Sequence, residues 1–411
     1  MTEAGDLLMC GRGWNGCLGL GDEEDRATPT LVARAVFDGE AVLMVACGDE
    51  HTAALTEGGG VYTFGLGEDG QLGHGDTEDQ LAPRRVPAAG FNGERVVMVA
   101  AGRMHTAALS EAGHVYTWGD GGVGQLGHDD WNSHRAPRRV EPGRFGGERV
   151  VFVAAGGNQT VAVTAGGRLY TWGYGGHGRL GHGDTGNRLV PTLVGAGAFG
   201  GSAVVMAACG SFHTLVVTRD GALWACGQGE YGQLGLNDEI VSDADSDDEL
   251  FAPVLDSDRP SFARVGAGEF GDHVAFGGAS VVVAAAGHNH SAAVTEDGAL
   301  WTWGAGTVPT HVGRQQHPDE DICWVPRVVL WAGQPLGPGG RRIGRWWGLP
   351  AEHALAFAMG THGRLGAGAH AHCSVLAAEP GLVGIIVGMC CGSVRVGGEG
   401  MVRLLGGGLG R

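Results

Sequence analysis

The sequence predicts an all-β fold, a seven-bladed β-propeller of repeats of about 54 residues, on three observations. A unit that opens with an apolar or aromatic residue and continues into glycines recurs with starts at Leu8, Tyr62, Tyr116, Tyr170, Trp224, Trp301 and Leu355. These starts are 54 residues apart except for one spacing of 77, which a single 23-residue insertion explains. Each unit contains four short β-prone runs separated by turn residues, the pattern of a propeller blade.

The second copy shows the order of elements within a unit. A β-prone run at residues 61–64 leads into a block with glycines at positions 65, 67 and 70, which allow tight turns. A stretch with a proline follows at residues 82–86, and further β-prone runs occupy residues 96–100 and 105–109. No convincing helical periodicity interrupts this order. Each unit therefore predicts four strands and no helix.

Two sets of repeated residues are expected to have structural roles. The first glycine after the opening strand is expected to form a tight turn in each unit, at Gly65, Gly119, Gly173 and Gly227. A histidine recurs once per unit, at His51, His105, His213 and His290. We expect each of these imidazoles to hydrogen-bond the backbone of its own blade, because buried polar groups need partners. The alternative is a ring of four histidines that binds a metal. A second histidine set, His74, His128 and His182, is expected to be exposed in loops.

The sequence contains no pattern that predicts catalysis. The repeated G-x-G-x-x-G block has no helix after it, as dinucleotide binding would require, and so predicts a structural turn. No serine has the context of a nucleophile elbow, and there is no phosphate-binding loop. His370, His372 and Cys373 are suitable metal ligands, but no second ligand cluster accompanies them. We expect a protein that is not an enzyme, with no catalytic, cofactor-binding or metal-binding residues.

Composition narrows the range of partners. The formal charge of −18 opposes a general role in coating nucleic acid. The charge is uneven, since residues 80–150 hold nine arginines against seven acids, and a local basic patch around Arg84, Arg85, Arg138 and Arg139 is an open alternative. The nine cysteines have no disulfide-like spacing and predict reduced thiols in an intracellular protein, cytoplasmic or nuclear. No secretory signal or membrane span is apparent.

The insertion, at about residues 237–261, is strongly acidic. Residues 238–258 contain nine carboxylates and no arginine, which predicts a solvated loop or a regulatory docking segment. Ser246 precedes Asp247, Asp248 and Glu249, so it is a candidate phosphorylation site for an acid-directed kinase. Phosphorylation would add roughly two negative charges.

The repeated motifs resemble those of the regulator of chromosome condensation family, whose repeats form seven-bladed propellers. The matching elements are the W/F/Y-x-x-G start, the G-x-G-x-x-G-Q-L-G block and the G-x-x-H-T strand. The resemblance is strong over residues 8–300, and the last two repeats, within 301–411, are degenerate. One group of relatives is the plant ultraviolet-B photoreceptors, but the tryptophans and arginines of their G-W-R-H-T strand are absent here, so we do not expect photoreception.

The resemblance implies a non-catalytic scaffold or adaptor for protein–protein interaction. One alternative is guanine-nucleotide exchange on a small Ran-like GTPase, and another is association with chromatin. We expect a single monomeric domain over residues 1–411 that binds protein partners, without cofactors, nucleic acid or membrane. Residues 401–405 are the expected closing strand of the ring.

Overall fold

The computed structural model describes residues 1–2, 4–195, 197–236, 258–266 and 275–305, and the backbone of three later strands at Ile322–Leu330, Val375–Glu379 and Leu382–Ile386. Within these residues the chain forms an all-β propeller of five four-stranded antiparallel sheets, which we call blades B to F. Two two-stranded sheets accompany them. In each blade the strands pair in chain order, so each strand is bonded to the next strand along the sequence.

The strands have the following bounds. Blade B contains β3 (Val42–Cys47), β4 (His51–Thr56), β5 (Val61–Gly65) and β6 (Gln80–Arg85). Blade C contains β7 (Val96–Ala101), β8 (His105–Ser110), β9 (Val115–Gly119) and β10 (His134–Arg139). Blade D contains β11 (Val150–Ala155), β12 (Gln159–Thr164), β13 (Leu169–Gly173) and β14 (Arg188–Leu193). Blade E contains β15 (Val204–Cys209), β16 (His213–Thr218), β17 (Leu223–Gly227) and β18 (Arg259–Arg264). Blade F contains β19 (Val281–Ala286), β20 (His290–Thr295), β21 (Leu300–Ala305) and β22 (Ile322–Leu330).

The prediction of seven blades is wrong, because the described part of the chain forms five four-stranded blades. The repeat starts at residues 62, 116, 170, 224 and 301 lie in β5, β9, β13, β17 and β21, the third strand of each blade. A repeat start therefore marks the third strand of a blade and does not show that the first two strands of that blade are present. The first start, Leu8, lies in β1 (Leu8–Gly11), which pairs with β2 (Arg26–Leu31) in a two-stranded sheet. The last start, Leu355, is outside the described residues.

The remaining two-stranded sheet joins β23 (Val375–Glu379) and β24 (Leu382–Ile386). The closing strand expected at residues 401–405 lies outside the described residues, as do Ser246 and most of the acidic insertion. Only the end of that insertion is described, and there β18 begins at Arg259.

The core lies between neighbouring blades. The second strand of blades B to E is buried along its length, because it faces a neighbouring sheet on each side, which for blade B includes the two-stranded β1–β2 sheet. Aromatic residues of the third strands fill the space between blades, and Trp118, Trp172 and Trp303 are fully buried. Short 3-10 helices such as Ala88–Phe91 precede the first strand of the next blade, and Phe91 packs edge-on against Trp118 with ring centroids 5.8 Å apart. Large rings between the sheets thus fix the spacing of the blades.

Candidate functional site: the turn face

The repeated histidines join consecutive blades. His51 of blade B places Nε2 2.9 Å from the hydroxyl of Thr106 in blade C, and both residues are buried. The Thr106 hydroxyl donates its proton to the carbonyl oxygen of Gln71, back in blade B, at 2.8 Å. Because a carbonyl only accepts, the hydroxyl must accept from His51, which assigns the proton to Nε2. We call this three-residue arrangement an inter-blade clasp.

The clasp recurs between the following blades. In blades C and D it is formed by His105, Thr160 and the carbonyl of Gln125, and in blades E and F by His213, Ser291 and the carbonyl of Gln233. Between blades D and E, Gln159 takes the place of histidine, and its amide nitrogen lies 3.0 Å from the Thr214 hydroxyl.

The histidine partner therefore differs from the expected backbone of the same blade. Burial lowers the pKa of His51 to about 3 and of His105 to about 4, so both imidazoles stay neutral at physiological pH. His290 is also buried. Among the residues that the structure describes, no group of three or more histidine, cysteine or carboxylate side chains could hold a metal.

The glycine of the G-x-x-H-T motif is needed because the imidazole of the same motif packs directly against its backbone. A Cβ atom on Gly102 would lie 2.2 Å from Cε1 of His105 and 2.6 Å from the carbonyl oxygen of Gly156. Real Cβ atoms do not approach other atoms so closely, so only glycine lets the imidazole lie against the chain. The glycine thus allows the histidine to take the position from which it forms the clasp.

The four repeated glycines at the ends of the third strands share one geometry. Their φ values are between 100° and 111°, in the region that favours glycine, and an added Cβ would lie 2.3–2.5 Å from the carbonyl oxygen of a residue in the adjacent turn. This describes Gly65, Gly119, Gly173 and Gly227. The close approach brings each strand end next to the turn between the first two strands of its blade.

The second histidine set differs from its expected exposure. Nε2 of His74 lies 3.0 Å from the Thr63 hydroxyl, and His128 and His182 make the same contact with Thr117 and Thr171. Burial is the main cause of their lowered pKa, which falls to about 4 for His74 and His128. These histidines are part-buried and help to hold the glycine block against the third strand.

The turns between the first two strands of the blades form a linked series on one face of the propeller. Backbone bonds connect one turn to the next: the amide of Asp49 donates to the carbonyl of Arg103, that of Arg103 to Gly156, that of Gly157 to Gly210, and that of Ser211 to Gly287. We call this surface, together with the segment that follows β1 and the loops that follow the third strands, the turn face. Because the bonds cross every boundary from blade B to blade F, it is a rigid platform.

Different residues occupy equivalent places on this platform. The two turn positions between glycine and histidine hold Asp49-Glu50, Arg103-Met104, Gly157-Asn158, Ser211-Phe212 and His288-Asn289. None of these five described turns carries tryptophan. The clasps are thus the same between most blades, whereas the side chains of the turns change from blade to blade. Such variation is expected of loops on a rigid scaffold.

Blades B and C form an acidic sector of the turn face. It contains Glu50 and Asp69, and the charges of Glu68, Asp120 and Arg103 act on Asp69. Arg103 also lies 3.6 Å from a carboxylate oxygen of Asp49. Burial raises the pKa of Asp69, and the negative charges of Asp120 and Glu68 raise it further.

An exposed aromatic residue lies beside this sector. Trp14 begins a short 3-10 helix after β1 and is 53% exposed, and the guanidinium carbon of Arg12 lies 4.2 Å from its ring centroid. The next residue, Asn15, donates a hydrogen bond from its side chain to a carboxylate oxygen of Glu50 at 3.0 Å. A stacked tryptophan–arginine pair at the rim of a rigid face is typical of residues that contribute strongly to protein interfaces.

Blades D to F form an aromatic sector. The guanidinium carbon of Arg179 lies 4.7 Å from the Tyr174 ring centroid and 5.0 Å from that of Phe212. The Phe212 ring contacts His177 on one side and His288 on the other, with centroids 5.8 and 5.0 Å apart. This group was not predicted from the sequence. Its only sequence signal was arginine in place of glutamine in the Q-L-G block, which occurs at Arg179 and again in the last copy at Arg364.

The basic patch expected around four arginines is largely neutralised. These residues lie in β6 and β10, the fourth strands of blades B and C, which we call the outer strands. Arg84 lies 3.0 Å from Asp76, Arg85 lies 3.2 Å from Asp38, and Arg138 lies 3.1 Å from Asp130. The fourth member, Arg139, ends β10. Arginines that are already paired with carboxylates offer little attraction to phosphate.

Two further properties concern the environment of the protein. Cys209 and Cys226 are buried, and burial raises the pKa of the Cys209 thiol to about 12, so it is unreactive. In the described part of the chain, no helix has the length and apolar character needed to cross a membrane.

The fold and its repeated motif define a propeller of the RCC1 type. The family model described as the RCC1-like domain matches residues 1–342, and the chain belongs to this family. It is 37% identical to the ultraviolet-B receptor UVR8 of Arabidopsis thaliana over 73% of this chain and 61% of the receptor. It is 35% identical to the human E3 ubiquitin-protein ligase HERC2 over 74% of this chain, but this region is only 6% of the ligase. The chain thus spans less than two thirds of either relative.

Two solved structures show the same fold. Human WBSCR16 superposes with a TM-score of 0.62 and 23% identity, covering 79% of this chain and 78% of that one. Prp20p of Saccharomyces cerevisiae superposes with a TM-score of 0.61 and 24% identity, covering 80% of this chain and 73% of that one. At these identities the likeness concerns the fold alone.

Proposed function

We propose that this protein is a non-catalytic scaffold or adaptor that binds protein partners through the turn face. The observation that carries the proposal is the contrast between the repeated clasps and the varied turns. The clasps fix a rigid platform, and the turn positions on it, most of which are half-buried, differ in charge and shape from blade to blade. Such a surface suits recognition of a partner, whereas a catalytic centre needs a convergent group of reactive side chains.

The proposal includes an intracellular location and a monomeric state. Buried, unreactive thiols such as Cys209 are compatible with a reducing compartment. Ser246 remains a proposed phosphorylation site that would change the charge of the insertion between β17 and β18 in the sequence.

Guanine-nucleotide exchange on a small GTPase is the second candidate. Prp20p has binding properties to Gsp1p and histones, and these are properties of that protein. Nucleotide release from a panel of Ran-like and Rab-like GTPases, with and without the present chain, tests the candidate directly. A large acceleration for one GTPase would establish exchange and replace the scaffold proposal. Unchanged release across the panel is the result that we expect.

The scaffold proposal is tested by matched capture experiments. Wild-type protein, a Trp14→Ala variant of the turn face and an Arg138→Gln variant of the outer strand are used as bait in parallel. Trp14 is half exposed and Arg138 is an exposed ion-paired residue, so neither change should unfold the protein. We expect a set of proteins that binds wild type and Arg138→Gln equally and loses affinity for Trp14→Ala. Equal capture by all three variants would contradict a partner surface at Trp14.

A further inference from the structure

Arg179 is a buried cation without a carboxylate partner among the described residues. Its side chain is 1% exposed, and it forms no ion pair with any described carboxylate. Its Nε donates to the carbonyl of Gly176 at 2.9 Å, and its Nη1 donates to the carbonyl of Ser211. Its Nη2 has no hydrogen-bond partner in the described structure. Burying a guanidinium with an unsatisfied N–H group is costly unless something else compensates it.

The equivalent residue in three other loops is glutamine, and those glutamines are satisfied. The side-chain oxygens of Gln71, Gln125 and Gln233 each accept the backbone N–H of the residue two positions earlier, at 2.9–3.0 Å. Arginine has no acceptor and cannot make this bond. Blade D therefore departs from a pattern that stabilises its neighbours. Such departures are expected where a residue serves function rather than stability.

The surroundings of Arg179 are suited to one small anion. Tyr174 covers one face of the guanidinium and is 37% exposed, so its ring lies between the cation and solvent. The Phe212 ring also lies against the guanidinium and is held between His177 and His288. Burial lowers the pKa of Arg179 to about 10, which still leaves it charged at neutral pH.

The carboxylate whose charge acts on Arg179, that of Asp258, is already occupied. A carboxylate oxygen of Asp258 lies 2.8 Å from Nδ1 of His177, and the other accepts the amide of Gly229 at 3.3 Å. Asp258 therefore does not satisfy Nη2. Its negative charge beside the site disfavours a doubly charged phosphate more than a singly charged carboxylate.

We propose that the Arg179 site binds an aspartate or glutamate side chain of a partner peptide, which displaces the Tyr174 ring and accepts a hydrogen bond from Nη2. This inference rests on the proposed scaffold function and names the chemistry of one part of its partner. The peptide carboxylate would be held by a charge-assisted bond in a water-poor, aromatic setting, where such bonds are strong. The flanking rings would contact the apolar part of the same side chain.

The test uses fluorescence anisotropy with a labelled peptide of alternating aspartate and glycine, and a matched peptide with asparagine. The proteins are the full chain, Arg179→Gln and Arg138→Gln. Glutamine is the residue of the three equivalent loops, so Arg179→Gln should fold and could satisfy the amide of His177. The variant at Arg138 removes an exposed positive charge outside the site, which controls for general electrostatic attraction.

We expect the aspartate peptide to bind wild type and Arg138→Gln equally, and Arg179→Gln about tenfold more weakly, which corresponds to about 1.4 kcal/mol. The asparagine peptide should bind none of them measurably. No binding of the aspartate peptide to wild type, or equal binding to Arg179→Gln, would overturn the inference. Displacement of the aspartate peptide by inorganic phosphate at the same concentration as the peptide would instead show a site for free anions and would also overturn the inference. If these arms fail while capture still depends on Trp14, the scaffold proposal stands without this site.

Discussion

Removing the hydroxyl of one inter-blade clasp should destabilise the propeller by about 2 kcal/mol. Thr106→Val keeps the shape of the side chain but leaves the His51 Nε2–H without its acceptor at 2.9 Å. An unsatisfied buried donor costs about 1–3 kcal/mol. The Gln71 carbonyl is less affected, because it still accepts the indole N–H of Trp118 at 2.9 Å. The expected loss is therefore dominated by His51.

Urea unfolding of wild type and variants tests this magnitude. Thr28→Val makes the same substitution at an exposed position of β2 and should change the free energy of unfolding by less than about 0.5 kcal/mol. In a His51→Leu background the donor is already absent, so Thr106→Val should cost about 1 kcal/mol less than in wild type. Equal effects of Thr106→Val and Thr28→Val, or no coupling to His51, would refute the clasp as a stabilising device.

The same geometry predicts the outcome of three other substitutions. Burial holds the pKa of His105 at about 4, against 6.5 in the unfolded chain, so the stability that neutral His105 contributes is complete above pH 6.5 and falls by about 1.4 kcal/mol per pH unit as the pH decreases toward 4. The His105→Gln variant, which copies Gln159, should lack this loss, and its free energy of unfolding from urea titrations should therefore fall less steeply with pH over this range. Gly102→Ala should lower the free energy of unfolding by roughly 1–3 kcal/mol in the same assay, whereas Gly195→Ala, where a Cβ meets nothing within 4 Å, should be nearly neutral. Arg179→Gln should leave the thermal midpoint unchanged or raise it, since it removes a buried cation without a described carboxylate partner, and a lower midpoint would argue that the two aromatic rings fully compensate the charge.

The strands within a repeat could be predicted from the sequence. The run at residues 96–100 corresponds to β7, and the run at 105–109 corresponds to β8. Local β-propensity and glycine punctuation determine these elements, so they can be identified without tertiary information. The number of complete blades could not be obtained in this way. A repeat start shows only where a third strand begins, and a complete sheet also requires two preceding strands that pair with it.

The partners of buried side chains depend on packing between repeats. His51 and Thr106 are 55 residues apart, one repeat plus one residue, and only the superposed blades bring them together. Arg179 was visible as an exception in the Q-L-G block, but its burial between Tyr174 and Phe212 depends on two blades. Sequence periodicity thus reveals equivalent positions, whereas the function of an exceptional residue depends on its neighbours in space.

The most direct test of the turn face as a partner surface is hydrogen–deuterium exchange of the full chain, alone and with a partner obtained by the capture experiment. If the turn face is that surface, the partner should slow exchange in peptides that contain the turns at residues 48–51, 102–105, 156–159, 210–213 and 287–290 or the loops that follow the third strands. The outer strands β6 and β10 should be unchanged. Slower exchange confined to the outer strands or to the opposite face, with the turns unaffected, would contradict the central claim.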